Sequence, residues 1–224
     1  MLRHALAVIA AQREMTQAGG SILHHTLRGS DRHQAMAHYP AGDRIDAVTG
    51  AQYFYHAHRA DMATEEHGHF HCFLRSHAVP SRLRPLPLPS QAEKPDAAMT
   101  HLVAIAMDRH GQPIRLFTVN RWVTHDTWYA ARHHPQLLKR FRFDPPRHDD
   151  TDAAYWRALD GWVAGMLHLF APQIAWLAAA RDSTIAAWQT AHMNTDPYDA
   201  RQIEELSSLP IDLAQQIALL TSRS

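Results

Sequence analysis

The chain has 224 residues, enough for one ordinary domain with a true apolar core. Its 22 basic and 22 acidic side chains cancel, so charge gives no reason to expect nucleic acid or an anionic membrane as a partner. The lone cysteine, Cys72, excludes an internal disulfide, thiolate-rich zinc sites and iron–sulfur clusters, and no apolar run approaches the ~20 residues of a membrane span.

Residues 2 to 18 carry Leu2, Leu6, Val8, Ile9 and Met15 at helical spacing, and Gly19-Gly20 ends that helix. The stretch "ALAVIAA" within it is about half a signal-peptide core and reads as one face of the helix, so the expected location is the cytoplasm. A short helix follows over about 21–28. "HYPAGDRIDAVTG" has turn residues without periodicity and reads as loop. "AQYFYHAHR" (51–59) and "HGHFHCFLR" (67–75) read as one hairpin; "HLVAIAMD" (101–108) and "PIRLFTVNRW" (113–122) read as another, turning at His110-Gly111. Between them residues 79–97 hold five prolines and should form an exposed, extended connector. Thr124 or Asp126 is placed to cap a helix running to about 140. Residues 152–192 are strongly helical, with a kink or break at Pro172, and further helices are expected over 198–207 and from Pro210 and Asp212 through Leu220. The class is α+β: one domain, 1–224, with an antiparallel sheet of at least four strands (hairpins over about 51–75 and 101–122) flanked by N-terminal and C-terminal helices.

The 19 histidines are the anomaly in this composition. His67, His69 and His71 alternate on one strand and should share a face. If residues 60–65 form the hairpin loop, Arg59 opposes Glu66, His58 opposes His67 and His56 opposes His69. Opposed side chains have Cβ atoms ~5 Å apart, so this register makes a square of imidazoles with His71 one step beyond. A one-residue slip would scatter them to both faces. In the second hairpin His101 opposes Asn120 and shares a face with Val103, Ile105, Met107, Leu116 and Thr118. Docking of the two hairpins would bring His101 to the cluster. Each feature also has a plain reading: a polar strand face turned to water, a core histidine at 101, and Asn120, Arg121 and Trp122 merely closing a strand. His24, His25, His133, His134 and His148 read as surface residues.

Neutral imidazole is the commonest ligand of divalent transition metals. The candidate ligands are His56, His58, His67, His69, His71 and His101, and the expected cofactor is a divalent transition metal, iron ahead of copper or zinc. Three imidazoles and an open position suit hydrolytic zinc; two with a carboxylate suit non-haem iron. Tyr53, Tyr55 and Trp122 add oxidisable aromatics nearby, which tilts the reading toward oxygen chemistry. Tyr55, Glu66, Asn120 and Arg121 are the candidates for assisting that chemistry on a small-molecule substrate.

The blocks "YFYHAHR", "EHGHFHCFLR", "PIRLFTVNRWVT" and "SSLPIDLAQQI" together resemble a bacterial family of proteins of unknown function, over most of the chain. That resemblance implies a shared domain and no activity. "HGHFHCF" also resembles the histidine-triad signature of nucleotide hydrolases and transferases, which would make His69 the nucleophile of a metal-independent phosphoryl transfer. Gly68 departs from that signature. The order His56, His58, Glu65 or Glu66, His101 is similar to a cupin ligand set, without the cupin glycine spacings. A metal-dependent oxidoreductase or oxygenase is therefore expected, with a histidine-triad enzyme and a metal-buffering or ligand-binding protein as the alternatives.

Overall fold

The computed structural model describes residues 1–28, 34–57, 65–88, 98–144 and 153–222. Among these, six strands form one antiparallel sheet in simple chain order: β1 (Tyr39–Ile45), β2 (Ala51–Ala57), β3 (Glu66–Arg75), β4 (Met99–Asp108), β5 (Pro113–Val119) and β6 (Glu205–Pro210). The fold is α+β. The outer strands correct two expectations: 39–45 is a strand rather than loop, and 205–210 is a strand where helix was expected over 198–207. Both contain proline, which lacks a ladder N–H and is tolerated at a sheet edge, where half the backbone is unpaired.

Helix α1 (Leu2–Gln17) packs on the long helix α5 (Ala153–Leu169). It buries Ala5, Val8, Ala11 and Met15, whereas Leu6 remains 56% exposed. The small-residue face wins because Gly165 of α5 lets Val8 approach; a Cβ there would lie 2.7 Å from Val8 Cγ2. The short helix α2 (Ile22–Thr26) is capped by Ser21, which accepts from the His24 amide. Pro172 splits the long helical segment as expected: α5 ends at Leu169 and helix α6 (Ala171–Ala191) departs at 67°. No single helix among the described residues is long and apolar enough to cross a membrane.

Of the helix expected from Thr124 or Asp126 to about 140, broken or kinked near Pro135, only a short piece around that proline forms. Helix α3 (Arg121–Thr124) is one turn, the chain then runs extended, and helix α4 (His134–Leu138) is another short piece. Asp126 does not cap a helix, because its carboxylate is taken by the His101 amide at 2.9 Å and the Thr124 hydroxyl at 2.8 Å. The last helix, α7 (Leu213–Thr221), does start at the expected cap: Asp212 accepts from the Gln215 amide. Of the proline-rich stretch, residues 79–88 carry neither helix nor strand. Leu83 is buried there and the Leu86 amide donates to the Trp128 carbonyl at 2.9 Å; residues 89–97 lie outside the described residues.

One face of the sheet is the main core. Tyr53, Tyr55, Phe70, Cys72, Val103, Ile105 and Leu116 pack there against Trp162, Met166 and Phe170 from the helices. The other face carries Phe54, Phe73, Phe117, Ala104 and Ala106, and among them the imidazoles.

A buried cluster of imidazoles

β2 and β3 pair in the register that the histidines favour: His56 opposes His69 and Ala57 opposes Gly68. His58 and Arg59 lie outside the described residues. Across β3 and β4 the register shifts twice. Glu66 opposes Asp108 but Gly68 opposes Met107, which leaves His67 as one extra residue on β3. Cys72 opposes Val103 but Phe73 opposes His101, which leaves Leu102 as one extra residue on β4. Because side chains alternate with a period of two, each such bulge moves the residues beyond it to the other face.

The first bulge corrects the expected row. The ring of His67 joins Tyr55, with Nδ1 2.7 Å from the Tyr55 hydroxyl, and Tyr55 lies on the core face against Phe70. Glu66 moves the opposite way, onto the imidazole face. Its Oε1 is 2.7 Å from His69 Nδ1, and its Oε2 accepts from Arg115 at 2.7 and 3.1 Å. Gly68 makes this crossing possible: a Cβ there would sit 2.2 Å from the His56 carbonyl oxygen and 2.6 Å from the Tyr55 hydroxyl.

The second bulge corrects the expected position of His101. It does not share a face with Val103 and Ile105, nor does it meet Asn120. It stands beside Phe73 on the imidazole face, with Nε2 3.1 Å from His71 Nδ1. Asp126 holds the bulge through the His101 amide.

Three imidazoles come together: His56, His69 and His71 are all buried, and each offers a ring nitrogen within 4.8 Å of the others. His69 Nε2 and His71 Nε2 are 3.1 Å apart. These three can hold a metal ion; His101 stands behind His71 rather than among them. Phe54, Phe73 and Phe117 wall the set, with Phe117 4.9 Å from the His69 ring centroid and Phe54 5.2 Å from that of His71.

Burial sets the electrostatics. It pushes His71 well below the ordinary imidazole range, helped by His69, His101 and His56 around it. His101 falls to about 3, through burial first and then the charge of Arg181. Both rings are therefore neutral at neutral pH, the form that ligates. Burial alone would raise the Glu66 carboxyl, but the hydrogen bond and charge of His69, together with Arg115, hold it below the usual range. Glu66 is thus a carboxylate, and the His69 nitrogen facing it must carry the proton. His69 Nε2 and His71 Nε2 share one hydrogen bond, and His71 Nδ1 shares another with His101 Nε2, so the three rings form a continuous chain.

The other candidates sit elsewhere. The Asn120 amide donates to the Pro197 and Ile203 carbonyls at 2.9 and 3.0 Å and its oxygen accepts the Arg121 amide. Arg121 donates to the Asp126 carbonyl at 3.2 Å, and the Trp122 indole to the Ala200 carbonyl at 3.0 Å. Asn120 and Trp122 thus tie the end of β5 to the chain at 197–203, and Arg121 holds the turn at Asp126. His134, expected at the surface, is wholly buried 3.1 Å from Arg181 Nη1. Sequence reasoning missed Arg115 and Asp126. Arg115 opposes Ala106, which opposes His69, so the register alone would have found it once the strand order was known.

Fold and site together define a meander-sheet α+β protein with a buried tri-histidine cluster on the sheet face away from its main core. The chain belongs to a family described as a domain of unknown function (DUF6969), whose model matches residues 2–211. No curated protein and no solved structure matches it.

Proposed function

We propose that His56, His69 and His71 bind one divalent transition metal, and that the protein is a non-haem metalloenzyme acting on a small molecule by oxidative chemistry at iron or copper. The observation that carries the metal reading is the pair of partners behind the ligands. Metal-bound histidine characteristically donates its other ring N–H to a carboxylate or another acceptor, which fixes its tautomer. His69 does so to Glu66, itself held by Arg115, and His71 has His101 Nε2 in that position. His69 Nε2 and His71 Nε2, 3.1 Å apart, and a ring nitrogen of His56 within 4.8 Å of both would hold such an ion by imidazole nitrogens alone. Were His71 to ligate through Nε2, its proton would stand on Nδ1 and be donated to His101 Nε2.

The oxidative reading rests on the surroundings of the ligands. Both oxygens of Glu66 are committed, one to His69 and one to Arg115, so this carboxylate serves the ligand rather than a substrate. The surrounding wall is phenyl and methyl, a dry setting suited to electron transfer with oxygen. The histidine-triad reading loses support because His69 Nε2, which would have to attack, is turned to His71 Nε2 at 3.1 Å.

Elemental analysis of protein purified without an affinity tag tests the metal: about one ion per chain, lost in His69→Ala and His71→Ala, with a melting temperature that falls on chelation. Adding nitric oxide to the anaerobic Fe(II) form tests the open position, and a spin-3/2 signal is expected. Many weak ions spread over His24, His25 and His133 would replace this reading by metal storage. A chelator-resistant phosphoryl adduct at His69 would replace it by phosphoryl transfer.

A further inference from the structure

A cavity of about 390 Å³ lies between α1, α5 and the chain at 142–144, within the ~300–1,000 Å³ span of small-molecule sites. It is walled from the sheet by Asp160 and Phe143 and has no residue in common with the imidazole cluster. One face of α5 supplies most of its wall, since Arg157, Gly161, Ala164 and His168 recur at helical spacing.

The two glycines of this helix differ. Gly165 is explained by packing, as Val8 occupies the space of its missing side chain. Gly161 is not: a Cβ there would meet nothing within 4 Å. A glycine inside a helix costs ~1 kcal/mol relative to alanine. What its missing side chain provides is room in the cavity.

Charge selects the guest. Both oxygens of Asp160 are engaged, by Arg44 at 2.6 to 3.1 Å and by the Tyr53 hydroxyl at 2.9 Å. Arg142 pairs with Asp144 at 2.8 Å. The His168 ring donates to the Phe141 carbonyl at 2.8 Å and stacks on His4, with centroids 4.7 Å apart. Arg157 alone among the charged residues of this wall has no ion-pair partner among the described residues. Among the described residues the surplus is one guanidinium at the rim of a mostly apolar cavity.

We propose that this cavity binds a small organic acid, its flat apolar body against Phe143, Ala7 and the Gly161 gap and its carboxylate on Arg157. The probe is 4-phenylbutyrate, titrated calorimetrically into the full chain beside its neutral amide. One molecule per chain is expected, with the amide bound about tenfold more weakly, the margin of one charge-assisted pair. Arg157→Gln should reduce the acid to the affinity of the amide. Gly161→Leu fills open space with a better helix former and should remove binding altogether. His69→Ala and chelation should change nothing, which keeps this result separate from that of the metal site. Lack of saturable binding, equal affinity for acid and amide, or intact binding in Gly161→Leu overturns the proposal. Should Gly161→Leu fail to fold, contacts between probe and Phe143 ring protons in the unaltered protein decide instead, and their absence overturns it.

Discussion

The bulge at His67 and the bulge at Leu102 each add one residue to a strand, and each re-sorts the imidazoles in the opposite sense. The first takes a histidine out of the row, gives it to Tyr55, and brings Glu66 to His69 in its place. The second lifts His101 away from the aliphatic side chains of its own strand and sets it behind His71. A count of histidines would rank 67 above 101 as a ligand. The backbone reverses that order, because one inserted residue outweighs any pattern of alternation beyond it.

The strongest way to break this comparison is Gly68→Ala. The added methyl has no space between the His56 carbonyl and the Tyr55 hydroxyl, so the first bulge must open. A loss of about 3 kcal/mol in unfolding free energy is expected by urea titration, at the upper end of overpacking costs. A loss under ~0.5 kcal/mol would mean the crossing is not tight.

Next come His101→Phe and His67→Phe, measured side by side for metal affinity. The first removes the acceptor behind His71 and should weaken binding by about 10- to 100-fold, the usual cost of an outer partner. The second should change it less than twofold. Equal effects would restore His67 to the row.

Acid titration of the metal-free protein gives a smaller effect per step. His71, His101 and His134 all have folded pKa values below the unfolded value of about 6.5, through burial first. The unfolded chain therefore takes up protons before the folded one. Stability from these groups is complete above ~6.5 and falls as pH drops, by about 1.4 kcal/mol per pH unit for each group. For His101 the fall continues to about 3. His101→Phe should flatten the slope by one such group between pH 6 and 4; an unchanged slope would place that ring in water. The smallest effect is Tyr55→Phe, which costs about 1 kcal/mol of stability through the lost hydrogen bond to His67. Metal affinity should not move.

Much of this was legible in the chain itself. The pairing of His56 with His69, the paired hairpins and the break at Pro172 follow from alternation and from what proline cannot do. The edge strands were hidden because "YPAGDRI" and "ELSSLP" break strand pattern with the residues an edge tolerates. The bulges were hidden because they are a relation between two strands, and the only local mark is Gly68 beside the inserted residue. Asn120 and Arg121 looked like candidates by position in a hairpin, whereas their partners come from residues 197–203 and from Asp126, which no local pattern announces.

Cys72 sits between His71 and Phe73 in the chain, yet its side chain points into the core. It is wholly buried, and burial pushes its thiol above the ordinary range. A thiol reagent can reach it only when β3 parts from its neighbours or the helices lift away. The rate of labelling then measures the population of that opened form directly, as exchange of a deep amide would. Since an ion bridging His56 of β2 to His69 and His71 of β3 must lose a ligand before these strands part, saturating metal should slow labelling by that route and leave labelling through lifted helices unchanged. The single thiol, behind the sheet, is thus a clock for the imidazoles in front of it.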